Sequence, residues 1–226
     1  MRVVTRPSLA CAAALLLVLT ACGGEATFSG AEDTAGPAPA CEDPPAAPDQ
    51  PQTYAQDDLP EPESGGPEVV DATVETNCGD IELELYAADA PQTVASFEFL
   101  AQEGYWEDSP CHRLVTSGIF VLQCGDPTGT GRGNPGYGFG IENAPADGAY
   151  PPGTVAMART QDPDSNGGQF FIVYDDTQLP VDGGGYSIFG QVTSGLDMVE
   201  SIAAQGTSGG STPAQPISIL SVTIDD

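Results

Sequence analysis

Arg113 stands beside His112 at the end of a short apolar run, and a second apolar run, Ile119–Leu122, ends in Gln123. A glycine-rich loop opened by Asp126 and Pro127 follows, and farther along comes Asn166-Gly-Gly-Gln-Phe-Phe-Ile-Val173. A guanidinium, the amides of Gln123 and Gln169 and the rings of Phe120 and Phe171 are the parts of a shallow apolar groove with polar groups at its edge. Such a groove suits an X-Pro segment of a peptide. Sharing of the nitrogen lone pair with the carbonyl gives a peptide bond a rotational barrier of ~18–20 kcal/mol. A donor aimed at the prolyl nitrogen localises that lone pair and frees the bond. A guanidinium fork, planar and rigid, serves this better than an ammonium. The chemistry needs no nucleophile, proton transfer, metal or cofactor.

The distribution of charge singles out the same segments. The chain has 226 residues, a formal net charge of −28 and no Lys; its five cations are Arg2, Arg6, Arg113, Arg132 and Arg159. Beyond residue 68 three arginines face 22 acidic residues, and all three lie in or beside the motifs. This balance argues against nucleic acid, whose phosphates require Lys and Arg, and against adhesion to anionic lipid; it favours solubility. The loop Asp126–Gly133 lacks the Gly-Lys-Ser/Thr of a phosphate-binding loop, so its glycines read as turn geometry. No HExxH motif points to a metal-dependent hydrolase.

Residues 1–21 read as an export signal: Arg2 and Arg6 precede an apolar stretch, Leu9–Leu19, shorter than the ~20 residues of a membrane span. Leu19-Thr20-Ala21-Cys22 resembles a bacterial lipobox, which implies cleavage before Cys22 and a lipid on its sulfur. The expected location is extracytoplasmic, with the N-terminal lipid as the only membrane contact. Residues 22–68 carry eleven acids, many Pro, Ala and Gly and few large apolar side chains, and read as a disordered tether. Cys41, Cys78, Cys111 and Cys124 remain, an even number in an oxidising compartment, and suggest disulfides. Cys111 and Cys124 would end the two arms of one hairpin, so Cys111–Cys124 is the first choice of pairing and Cys41–Cys78 the remainder. Metal ligation fits less well, because there is no CxxC pair and the single His adjoins Cys111 on a strand, where neighbours face opposite ways.

Residues 69–226 read as one domain that must position the groove. Ile81–Leu85 alternates as a half-buried strand. Asp89-Ala-Pro-Gln92 has the form of a carboxylate-capped helix start, followed by Val94, Phe97, Leu100 and Ala101 at helical spacing and stopped by Gly104. Met198, Val199, Ile202 and Ala203 mark a second helix between Ser194 and Gly206. Short strands are expected at 111–116, 119–123, 153–158, 169–174, 186–192 and 217–224. Many short strands with two helices predict a mainly β domain, a closed antiparallel barrel with capped ends.

Together with Ser187-Ile-Phe-Gly190, these runs resemble the cyclophilins, peptidyl-prolyl isomerases, over about residues 70–225, and the motif order is similar to that of actinobacterial secreted members. The resemblance implies a closed eight-stranded antiparallel β-barrel capped by two α-helices. It implies Arg113 as the catalytic arginine with Gln123 and Phe120 beside it, and a proline pocket of Phe120, Val121, Phe171 and Leu179. Gln169 would be a second polar contact, and His112, Tyr186 and Arg159 further positions along the groove. The segment between Arg113 and Phe120 is two residues longer than the common family pattern. Cys111 replaces a Phe, Val121 a Met, Arg159 an Asn, Leu179 a Trp and Tyr186 a His. The implied partners are X-Pro segments of exported polypeptides, with no cofactor and a monomeric state. A proline-peptide-binding module or scaffold without catalysis is the alternative.

Overall fold

The structure, a computed structural model, describes residues 40–225. The export signal, Cys22 and the first part of the tether lie outside the described residues. In chain order the elements are β1 (Val70–Thr76), β2 (Gly79–Leu85), α1 (Pro91–Gln102), β3 (Ser109–Pro110), β4 (Arg113–Ser117), β5 (Ile119–Cys124), β6 (Ala149–Tyr150), β7 (Thr154–Met157) and β8 (Phe170–Val173). There follow β9 (Thr177–Gln178), β10 (Ile188–Ser194), α2 (Leu196–Ala204), β11 (Thr207–Gly209), β12 (Thr212–Pro213) and β13 (Ser218–Ile224). The mainly β composition and both helices agree with expectation.

The closed eight-stranded barrel does not. The main sheet has nine strands in the order β3-β13-β1-β2-β10-β7-β8-β5-β4, so it curls as a half-barrel with two ends. The physical reason lies at its edges. β3 is two residues long and ends in Pro110, which has no N–H to continue a ladder. On the side away from β5, the other edge strand, β4, has one backbone bond among the described residues, Leu114 N–H to the Ser211 carbonyl at 2.6 Å.

Strand alternation divides the sheet into two apolar faces. Leu122, Val155, Met157, Phe170 and Ile172 join the main core beneath α1, with Phe97, Trp106 and Phe189. The intervening residues Val121, Ala156, Phe171 and Val173 form a second cluster with Tyr150 and Leu179. β7 and β8 are therefore buried on both faces, and this second face carries the groove.

The start of α1 differs from the sequence reading. Asp89 does not cap it: the N-cap is Ala90, without a side-chain bond, and Pro91 occupies the first turn. The open N–H groups are met by Glu142, whose carboxylate accepts Gln92 N–H at 3.0 Å, Thr93 N–H at 2.8 Å and the Thr93 hydroxyl at 2.7 Å. An anion belongs at this end of the helix dipole, but it arrives from a loop some fifty residues away. Glu142→Ala is expected to cost about 1–2 kcal/mol. That corresponds to a drop of roughly 2–8 °C in Tm, measurable by thermal unfolding; an unchanged Tm would refute the role of Glu142.

The described part of the tether is not disordered. Residues 40–68 have little regular structure beyond a short 3-10 turn at Gln56–Asp58, yet they lie against the domain. Cys41 is bridged to Cys78, Glu42 N–H donates to the Asn77 carbonyl and Tyr54 N–H to the Pro135 carbonyl. The Tyr54 ring meets Phe99, Tyr105 and Tyr137. Average composition hid these few anchors.

Candidate functional site

The β4–β5 hairpin builds one side of the groove. Its register runs from Arg113 opposite Gln123 to Ser117 opposite Ile119, without a shift. Arg113, Val115, Ile119, Val121 and Gln123 therefore share a face. Its base is closed by the Cys111–Cys124 disulfide, as the hairpin reading expected.

Two adjoining cavities open on that face. The smaller, about 150 Å³, is lined by Arg113, Ile119, Val121, Gln123, Ala158, Arg159, Phe171, Leu179 and Tyr186. Below the ~300–1,000 Å³ of typical small-molecule sites, it suits one apolar side chain rather than a cofactor. The larger, about 300 Å³, has a polar wall from Gly131 to Asn134 on one side and Thr160, Ser165 and Gly167 to Gln169 on the other. Gln123, Ala158 and Arg159 line both.

A chain of side-chain hydrogen bonds crosses the boundary. Arg113 Nη1 donates to Gln123 Oε1 at 3.1 Å, Gln123 Nε2 to Gln169 Oε1 at 2.9 Å, and Gln169 Nε2 to the Gly133 carbonyl at 2.8 Å. Each amide thus has a fixed orientation, and the guanidinium is held by one edge at the mouth of the apolar pocket. Such a network in a partly dry site acts as a preorganised donor set.

Several expectations need correction. Phe120 is not a wall of the pocket. It lies on the opposite side of the hairpin, edge-on to Tyr174 with ring centroids 6.0 Å apart, in a separate depression with Pro152 and Ala203. The longer hairpin keeps strict alternation, so Ile119 takes the wall position and Phe120 turns away. That parity was readable from Val121 and Gln123. His112 likewise does not line either cavity. Its ring lies under the loop at Gly131, with a buried Nδ1 that has no hydrogen-bond partner among the described residues. Burial, with a smaller push from Arg113, lowers its pKa against the opposing pull of Asp126, which keeps the imidazole neutral at pH 7.

Arg159 lines the groove, but its guanidinium is engaged by the protein. It donates to the carbonyls of Gly185 at 2.7 Å, Gly183 at 3.1 Å and Thr160 at 2.9 Å, and lies 5.0 Å from the Tyr186 ring centroid. It clamps the 183–185 loop and steadies Tyr186 through a cation–π contact. The sequence carried no signal for this, because the acceptors are backbone groups.

Asp126 is buried and organises the far wall. Its carboxylate accepts from Thr128 N–H at 2.8 Å, the Thr128 hydroxyl at 2.7 Å and Arg132 N–H at 3.0 Å. A Cβ on Gly133 would fall 1.8 Å from Asp126 Oδ1, so only glycine fits there. Burial pushes the Asp126 carboxyl up, but hydrogen bonds from the Thr128 side chain and from backbone N–H groups of the loop outweigh it and hold its pKa below the usual 3.8. Its contribution to stability is therefore present above pH 3.8 and is lost as pH falls through the lowered folded value. Wild-type Tm should consequently fall more steeply than that of Asp126→Asn between pH 5 and pH 2; parallel curves would contradict this.

The β-rich domain thus carries a side-chain-sized apolar pocket with a braced guanidinium at its edge. The family model described as cyclophilin type peptidyl-prolyl cis-trans isomerase/CLD matches residues 71–224. A Mycobacterium tuberculosis protein named probable peptidyl-prolyl cis-trans isomerase B is 41% identical over 177 residues, 70% of this chain and 56% of that protein. The chain thus spans little more than half of that relative. Peptidyl-prolyl cis-trans isomerase A of the same organism is 38% identical over 68% of this chain and 91% of its own length. A Cryptosporidium parvum cyclophilin crystal structure aligns with a TM-score of 0.62 at 29% identity, covering 70% of this chain and 98% of that one. Another, determined in the presence of the dipeptide Ala-Pro, aligns with a TM-score of 0.60 at 30% identity, covering 69% and 99%. The chain belongs to the cyclophilin-type peptidyl-prolyl cis-trans isomerase family.

Proposed function

We propose that this chain is a peptidyl-prolyl cis-trans isomerase acting on X-Pro segments of exported polypeptides. The observation that carries the reading is the apolar pocket of Ile119, Val121, Phe171, Leu179 and Tyr186 with Arg113 at its edge. The pyrrolidine ring enters the pocket and is held still. As the bond twists, the prolyl nitrogen becomes pyramidal and gains lone-pair density, and an Arg113 N–H donates to it. Gln123 holds the guanidinium in place, and Gln169 holds Gln123. The donor acts chiefly in the transition state, where that lone pair appears. X-Pro bonds isomerise unaided over tens to hundreds of seconds, so catalysis is measured directly as faster cis-to-trans conversion of an Ala-Pro peptide. A wild-type rate equal to that of buffer, with peptide still bound, would leave a non-catalytic proline-binding module instead.

We further propose that the domain is exported and held at the membrane by lipid on Cys22. The lipobox-like Leu19–Cys22 run supports this, as do two disulfides, which persist in oxidising compartments. Mass spectrometry of the mature protein should find an acylated N-terminal Cys22; an unmodified start elsewhere would refute it.

A further inference from the structure

The wall of the larger cavity is made by a segment with little structure of its own. Residues 131–138 hold four glycines, with Gly131 and Gly136 at positive φ. Such a stretch has high backbone freedom when unrestrained. Its first half is held by the Asp126 carboxylate through Arg132 N–H. Its second half is held by the N-terminal segment, which lies outside the residues the family model covers.

That hold is specific. Tyr54 N–H donates to the Pro135 carbonyl at 2.6 Å. The Gln56 side chain pairs with both backbone groups of Gly138: Nε2 donates to its carbonyl at 2.9 Å, and Oε1 accepts its N–H at 3.1 Å. The two chains cross so closely that a Cβ on Gly136 would fall 2.0 Å from the Tyr54 carbonyl oxygen. Gln52 ties the segment to the end of α1 through the Glu103 carbonyl at 2.9 Å, and Cys41–Cys78 staples its beginning to the turn between β1 and β2. One residue before Pro135 is Asn134, a wall of the cavity, and before that Gly133, whose carbonyl ends the chain of bonds from Arg113.

We propose that residues 52–56 are a positioning strap for the groove: Tyr54 and Gln56 fix the 133–138 loop, and through the Gly133 carbonyl they orient Gln169 and Gln123. The proposal rests on the isomerase reading for its kinetic consequence but not for its structural one. A loosened loop displaces a wall of the groove and so weakens peptide binding, whereas a merely reduced folded fraction lowers kcat and leaves KM unchanged.

The test uses the domain with its strap intact and an Ala-Pro peptide substrate. Gln56→Ala, at an exposed position, and Tyr54→Ala are expected to raise KM several-fold. Their kcat/KM should fall roughly tenfold, within the range that misplacement away from the chemistry produces. Tyr54→Phe, which keeps the ring that packs on Phe99, Tyr105 and the loop residue Tyr137, should restore wild-type values. In parallel, hydrogen exchange should show backbone amides of residues 133–138 protected in wild type and exchanging faster in Gln56→Ala. Wild-type KM in both alanine variants, or unchanged exchange, overturns the strap. If the wild type itself does not isomerise the peptide, the function reading fails and the exchange data alone decide: faster exchange in the variant supports the strap, and unchanged exchange sinks it.

Discussion

Arg113→Ala is expected to lower kcat/KM on an Ala-Pro peptide by roughly 10²–10³, the loss typical of removing one preorganised donor from a catalytic site. The loss should fall mainly in kcat. The pocket that holds the ring retains Val121, Phe171 and Leu179 in the variant, while the donor that meets the developing lone pair is gone. Folding should be spared, because Arg113 is only half-buried on an edge strand and, among the described residues, its side chain makes a single hydrogen bond, to Gln123. Arg113→Lys should recover only part of the loss. An ammonium keeps charge but lacks the planar fork that lets one edge bind Gln123 while another N–H faces the substrate. Progress curves in a cis-to-trans assay, with thermal unfolding as a control for folding, check both. A fully active, folded Arg113→Ala would remove the arginine from the mechanism.

Replacing Cys111 and Cys124 by Ala should produce the largest loss of stability. The bridge closes a loop with a sequence separation of 13. Chain-entropy arguments place the cost of opening a loop of that size at about 3 kcal/mol. Both cysteines are almost wholly buried, so the missing sulfurs add a packing loss to the entropic one. Tm should fall by roughly 6–12 °C. The effect extends to function, because the bridge joins the residues that flank the Arg113–Gln123 pair. Its removal lets the two arms fray where the guanidinium is braced. A Tm within 2 °C of wild type would show that the surrounding β-sheet holds the hairpin unaided.

The site was legible where it depends on residue type and short spacing. Arg113, Gln123, Gln169 and Phe171 come together as the motifs implied. The pairing of Cys111 with Cys124 follows from the hairpin that separates them. Phe120 shows the limit of carrying a motif over whole. Its position in the run marks it as pocket, yet the unbroken alternation from Gln123 through Val121 to Ile119 turns it to the other face. The strap shows a different limit. Residues 40–68 have the composition of a tether, and nothing local reveals that Tyr54 and Gln56 meet Pro135 and Gly138 some eighty residues farther on.

From its residues alone, the chain determined the strands β2, β4, β5, β7, β8, β10 and β13, though not β1 or the shortest strands, together with its two helices, the hairpin with its disulfide and the identity of the polar groups in the groove. These depend on periodicity, turn chemistry and neighbours a few positions apart, which a linear string records. Only the tertiary structure decided that Glu142 caps α1, that Ile119 rather than Phe120 walls the pocket and that the sheet stays open between β3 and β4. It also decided that Arg159 grips backbone carbonyls and that the strap braces the Gly133 loop. The partners in each long-range polar contact are backbone groups or polar side chains, whose types are common throughout the chain. Their pairing is selected by where the packed sheet and α1 bring distant loops into reach.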